Sequence, residues 1–201
     1  MSAIIDGTNG VTAATLVPSG SSAPTNGIYL PTTNSVAIAT NGTVGLKVNS
    51  NGNVSMPLQP SFVASLTSNS DQTYTNTTLP FNIVTLNRGG GTFNTSSYYY
   101  QVPTSGYYLF QCSTYGTNSA GSATMYHYFL VNGSAPSGSR PVSDVYIGGS
   151  SGQVAICAIQ AFQVINCNSG DQVSVYASAY NSSAVYRIYT GSSLFQGTFL
   201  G

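Results

Sequence analysis

Few side chains in this sequence are equipped for chemistry. There is one histidine, His127. The cysteines are Cys112, Cys157 and Cys167. The acids are Asp6, Asp71, Asp144 and Asp171, with no glutamate, and the cations are Lys47, Arg88, Arg140 and Arg187. A Ser-His-Asp machine would need His127 as its base. That residue lies in Met125-Tyr126-His127-Tyr128-Phe129, a strand-like run where a cross-strand or interface histidine is expected. No serine is read as a nucleophile elbow. Zinc needs several Cys or His at close spacing. Cys157 and Cys167 have no histidine near them, and they read as free, strand-embedded small hydrophobes that bridge only if the fold sets them side by side. A calcium loop needs clustered carboxylates, and even Asp144 and Asp171 are far apart in the chain. Asp71 and Asp144 are candidates for a glycosidase pair only by elimination. Gly89-Gly90-Gly91 precedes no helix and so cradles no phosphate. No catalytic, cofactor-binding or metal-binding residue is expected, and the chain reads as a non-enzyme.

Composition bounds the rest. Only 4% of the 201 residues are charged and the formal net charge is zero. A nucleic-acid binder needs clustered Lys and Arg to release counterions, and four scattered cations do not supply that. An anionic membrane surface is disfavoured on the same ground. No apolar run approaches the ~20 residues of a membrane span. The start, Met1 to Asp6, has neither the basic region nor the apolar core of a secretory signal, so synthesis in a host cytoplasm is expected. Fifteen Tyr, eight Phe and many Ser, Thr, Asn and Gly suit strands and turns. So neutral a surface suits a permanent assembly better than a free monomer.

The elements that must position these residues are strands. Residues 1–57 hold four of the five Asn-Gly dipeptides, at Asn9, Asn26, Asn41 and Asn51, with short β-prone pieces between them. The pieces are 27–30, 35–40, 44–48 and 53–56. They are too short to bury a core alone, so the segment reads as an extended β arm or meander that packs on another chain, with Leu46, Val48 and Val54 as its contacts. Pro57 and Pro60 mark a stiff linker over 58–61. From 62 to 201 the strands lengthen: 62–66, 81–86, 98–102, 106–115, 123–131, 153–165, 171–180 and 194–200. Turn signals separate them and no helical period intervenes, which predicts an all-β sandwich or jelly roll. Val173, Val175 and Ala177 alternate with Ser174, Tyr176 and Ser178, giving one inward and one outward face. The run Val154 to Ile165 is apolar on both faces, as in a central or interface strand. In Tyr98-Tyr99-Tyr100 and Tyr107-Tyr108, alternate rings point in and out, and packing is favoured over stacking on a sugar or receptor.

Four ordered motifs in this second part carry a family resemblance. Phe93-Asn94, then Tyr100-Gln101-Val102-Pro103-Thr104-Ser105-Gly106-Tyr107-Tyr108-Leu109-Phe110, resembles the signature of C1q-like domains. Val131-Asn132-Gly133 resembles the family's hairpin, Gly170-Asp171-Gln172-Val173 its G-D-x-V piece, and Leu194-Phe195-Gln196-Gly197-Thr198-Phe199-Leu200 its closing strand, with Thr198 as an extra residue. The resemblance implies a ten-strand jelly roll that forms compact homotrimers. It implies core or trimer roles for Phe93, Tyr100, Pro103, Gly106, Tyr108, Phe110, Gly170, Asp171, Val173, Phe195, Gly197 and Phe199. The collagen repeat that precedes many animal members is lacking. No acidic cluster supports the Ca²⁺ sites of some members.

The piece Thr40-Asn41-Gly42 to Leu46-Lys47-Val48, then Gly52-Asn53-Val54, resembles a hairpin of tailed-phage fibres and other virion exterior proteins. Together the two resemblances imply a homotrimeric virion protein: a capsid cement or decoration protein whose arm clamps the major capsid protein and whose head protrudes. The alternative is a tail fibre or receptor-binding tip that recognises a host surface glycan or protein. No cofactor is implied.

Overall fold

The computed structural model describes residues 22–66, 72–73, 76–118, 123–136, 143–147, 155–179 and 186–201. Asp6, Asp71, Arg140 and the turn at Asn9-Gly10 lie outside the described residues. The chain divides into two compact units, Met1–Pro57 and Leu58–Gly201.

The first unit is an antiparallel meander of β1 (Asn26–Tyr29), β2 (Val36–Thr40), β3 (Thr43–Val48) and β4 (Val54–Ser55), paired in sequence order. Asn41 and Gly42 both take positive φ (49° and 72°), as a type I′ hairpin turn requires. Asn26-Gly27 forms no such turn. It lies inside β1, and the Asn26 side-chain oxygen instead accepts the Asn41 amide at 3.2 Å, tying the strand to the hairpin.

The second unit carries β5 (Ser61–Leu66), β6 (Gln72–Thr73), β7 (Thr77–Thr78), β8 (Phe81–Arg88), β9 (Thr92–Asn94), β10 (Tyr99–Gln101), β11 (Gly106–Asn118), β12 (Ala123–Val131), β13 (Ser143–Ile147), β14 (Ala155–Cys167), β15 (Gln172–Ala179), β16 (Tyr186–Ile188) and β17 (Leu194–Phe199). One sheet runs β8-β5-β17-β11, with β14 on the free side of β11 and β16 and β6 continuing past β17. The other runs β13-β12-β15-β10-β9, with β7 beside β15. All pairings are antiparallel, so this is an all-β jelly-roll sandwich. The segment 58–61 is not a free tether. The Gln59 side-chain amide donates to the Phe199 carbonyl at 2.7 Å, Pro60 accepts the Phe199 amide at 3.0 Å, and Ser61 already belongs to β5.

Strand alternation places the core. Val173, Val175 and Ala177 are fully buried, while Ser174, Tyr176 and Ser178 face outward. Phe62, Phe195, Tyr108, Phe110 and Ile159 from one sheet meet Met125, Phe129 and Tyr100 from the other. Phe195 is the hub, with ring centroids 4.8–6.2 Å from Phe62, Phe81, Phe93, Phe110 and Phe129. Gly197 follows from this crowding, since a Cβ there would come within 2.5 Å of the Phe62 ring. Tyr98 belongs to a turn and not to a strand. Its φ is 62° and its amide donates to the Asn94 carbonyl.

Candidate interaction surfaces

Among the described residues, those equipped for chemistry do not converge. His127 is wholly buried in the core between the sheets, not at an interface. Its Nε2 sits 3.4 Å from the Thr114 hydroxyl across the sandwich, and its Nδ1 has no partner. Burial favours the neutral ring and lowers its pKa to about 4. A base needs access to a substrate proton, and this one has none. Cys112 and Cys167 are buried free thiols. Burial, with Asp171 adding a smaller effect, pushes Cys167 up to about 11, and burial raises Cys112 further. Cys157 lies on the same strand as Cys167, and the ~3.3 Å rise per residue keeps the two from bridging. Among the described residues no group of three or more His, Cys, Asp or Glu could hold a metal.

Asp171 is a structural device at one end of the sandwich. Its carboxylate accepts the Asn132 side-chain amide and the Asn168 backbone amide, each at 2.8 Å. The Asn132 side-chain oxygen accepts the Gln172 backbone amide at 2.9 Å, so one acid locks the Asn132-Gly133 turn to the start of β15. Gly170 donates to the Val102 carbonyl in the same knot. The carboxylate thus does more than bond its own turn.

The motif residues sort into three groups. Phe93, Tyr100, Tyr108, Phe110, Val173 and Phe195 are buried core, with Phe199 packed against them. The Tyr108 hydroxyl donates to the Thr104 carbonyl at 2.9 Å, and burial pushes its pKa up to about 12. Gly106 and Gly197 are close-approach positions: a Cβ on Gly106 would meet the Gly201 carbonyl at 2.6 Å, and its φ is 144°. Pro103, Gly170 and Asp171 shape turns. Thr198 makes no bulge. It pairs with Leu109 in unbroken register, so Phe195, Gly197 and Phe199 all face inward.

Among the described residues, two sheet faces expose large apolar side chains. The first is the outer face of β8-β5-β17-β11-β14. Register places Phe162, Gln111, Gln196, Val63 and Leu86 in one row across it, and Val164, Leu109, Thr198, Ser61 and Arg88 in the next. Tyr107, Phe162, Val164 and Leu200 are each more than half exposed, and Leu194, Leu86 and Ile83 exceed 40%. Gln196 donates to Gln111 at its centre. Arg88 is the one charge among the described residues of this face, and its Nε donates to Ser61 Oγ at 2.7 Å. β14 is therefore not central. It pairs with β11 and no other described strand, and its outward Phe162 and Val164 account for its doubly apolar sequence.

The second face belongs to the N-terminal meander. Register sets Ile28, Ile38 and Leu46 in one row and Val36, Val48 and Val54 in the next. Leu46, Val48 and Val54 therefore do share a face, and Ile28, Val36 and Ile38 join them. Those three are 42–50% exposed and Val54 63%. The opposite face buries Tyr29, Ala37 and Ala39 against Val44.

No family model matches the chain, and no curated protein matches it. Solved structures do. The Eiger TNF of S. frugiperda superposes with a TM-score of 0.51 at 9% identity over 71% of this chain and 93% of that one. The globular domain of zebrafish complement 1qA protein gives 0.45 at 16% identity over 71% and 98%. The likeness to the TNF shows the fold, a jelly roll of the TNF type.

Proposed function

We propose that the protein is a non-enzymatic structural component of a virion exterior. In this reading it is a homotrimer that associates through the outer face of β8-β5-β17-β11-β14, and its N-terminal sheet attaches it to the major capsid protein as a cement or decoration protein. The uncovered face of the first sheet carries the proposal. An isolated soluble domain seldom shows so continuous an apolar surface. Seven large side chains on it are about half exposed. Covering each is worth about 1 kcal/mol, half the usual value for a fully buried apolar side chain. The sum is about 7 kcal/mol per protomer, which works against the cost of association. The C1q-like motifs argue for three copies. The aliphatic face of the N-terminal sheet supports attachment, because Ile28, Ile38, Leu46, Val36, Val48 and Val54 have no counterpart within their own sheet.

The test has two arms. Multi-angle light scattering should give three protomers for the full chain and for a truncation that begins at Leu58. The truncation should then fail to decorate capsids that bind the full chain. A monomeric full chain would overturn the trimer, and normal decoration by the truncation would overturn the attachment role. Copy number per virion separates capsid from tail: hundreds place the protein on the shell, a few to tens on a fibre or tip.

A further inference from the structure

The other sheet presents a surface of different chemistry. On its outer face Tyr99, Ser174 and Leu130 share one row across β10, β15 and β12, and Thr78, Tyr176 and Tyr128 share the next across β7, β15 and β12. Tyr126 stands beside Tyr128, with ring centroids 6.4 Å apart. The short strands β7 and β10 pair with successive parts of the same edge of β15, and a groove of about 460 Å³ opens there. Thr78, Ser97, Tyr99, Gly133, Gln172 and Ser174 line it. The volume lies within the ~300–1,000 Å³ usual for ligand clefts.

We infer that this groove binds a neutral carbohydrate. None of its six lining residues carries a charge, so an ionic ligand would lose its hydration without gaining a counter-ion. Four hydroxyl-bearing residues and a glutamine line it, and each both donates and accepts hydrogen bonds. A sugar hydroxyl has the same dual character. Tyr99 supplies the flat apolar surface on which the C–H face of a pyranose packs. The Asn94 side-chain amide donates to the Tyr99 hydroxyl at 3.3 Å, which restrains the ring before any ligand arrives. An apolar peptide side chain would strand these polar groups unpaired, so a peptide is the poorer match. The site does not depend on self-association, because it lies on the sheet opposite the proposed trimer face.

Saturation-transfer NMR tests this on the full chain with maltohexaose, laminarihexaose, mannohexaose and N-acetylchitohexaose, and with oligogalacturonate as a charged control. At least one neutral oligosaccharide should receive saturation on its ring protons, and oligogalacturonate should not. Tyr99→Leu keeps a strand-forming apolar residue but removes the ring, and should weaken binding about five- to tenfold. Ser97 is an exposed turn residue. Ser97→Arg blocks the groove mouth with no core change and should abolish transfer, so it decides the matter even if Tyr99→Leu fails to fold. Transfer to none of the neutral sugars, equal transfer to oligogalacturonate, or transfer unchanged in Ser97→Arg would each overturn the assignment.

Discussion

Replacing His127 by leucine should remove most of the protein's stability loss between neutral pH and pH 5. The ring is fully buried, and its pKa is held near 4 by burial against an ordinary 6.5. The unfolded chain therefore takes up a proton that the folded chain refuses. Stability is complete above pH 6.5, falls as pH drops from 6.5 to 4, and is flat below. At ~1.36 kcal/mol per pH unit of difference, the loss is about 2 kcal/mol at pH 5 and levels off at about 3.4 kcal/mol. For a domain of this size that is a fall of about 4–8 °C in melting temperature at pH 5. Few other groups titrate in the window: the chain has four Asp, no Glu and one His, and carboxylates ordinarily titrate near ~4. Urea unfolding at about pH 7.5, 6 and 5, followed by tyrosine fluorescence, should give a sloped series for the wild type and a nearly flat one for His127→Leu. The variant leaves the Thr114 hydroxyl without the imidazole, at about 1 kcal/mol, but this shifts both ends of its series equally. The single imidazole also gives one NMR titration, which should have its midpoint near 4. Parallel slopes in the two proteins, or a midpoint near 6.5, would refute the reasoning.

Phe195→Ala empties the centre of a five-ring cluster and should cost about 3–5 kcal/mol in urea unfolding. Gly197→Ala drives a methyl into the Phe62 and Phe110 rings and should cost about 1–3 kcal/mol from overpacking. Asp171→Ala releases two amide donors at the Asn132 turn, and should lower stability by about 1–3 kcal/mol with the core intact by near-UV circular dichroism. Phe162→Asp should give a folded monomer in light scattering. The proposed wild-type oligomer should resist a rise from about 0.1 to about 1 M NaCl, because its face carries almost no charge to screen. Cys112 and Cys167 should resist alkylation in native protein and react in denaturant, as peptide mass mapping would read.

Much of the fold was legible because strand alternation is local. Val173 to Ser178 announced an inward and an outward face, and the structure has them. The long strands β5, β8, β11, β12, β14, β15 and β17 were legible as strands too, though without their faces. The short strands β6, β7, β9, β13 and β16 were not legible. Two to five residues carry no period, and their pairing is decided by partners far away in sequence, as Thr77 and Thr78 are by Tyr176 and Ala177. The motif residues were recognisable as types, but not their separate tasks. Nothing in Gly170-Asp171 alone says that the carboxylate will reach Asn132. His127 was legible as a mid-strand histidine, but not the face it takes. In Met125-Tyr126-His127-Tyr128-Phe129 the tyrosines looked as apolar as the core, yet they face outward, and Met125, His127 and Phe129 point in.

The surfaces were harder to read than the core, and β14 shows why. Its alternate positions Ile159, Ala161 and Ile165 fill the sandwich, while Phe162 and Val164 stand on the other side, more than half exposed. In sequence such a strand is identical to a central strand buried on both faces. Only the topology separates the two, by placing it beside β11 with no further described neighbour. A strand that is apolar on both sides and yet lies at a sheet edge has one face whose burial its own fold does not provide. The same logic applies to Val36 and Ile38 of the N-terminal sheet, which alternate with the buried Ala37 and Ala39. In both units the surplus apolar face is opposite the core, and among the described residues of that unit nothing packs on it. The tyrosine-rich sheet differs in kind. Its outward positions alternate ring and hydroxyl, so water already satisfies them, and what it can recognise is set by hydrogen bonding and ring stacking more than by apolar area.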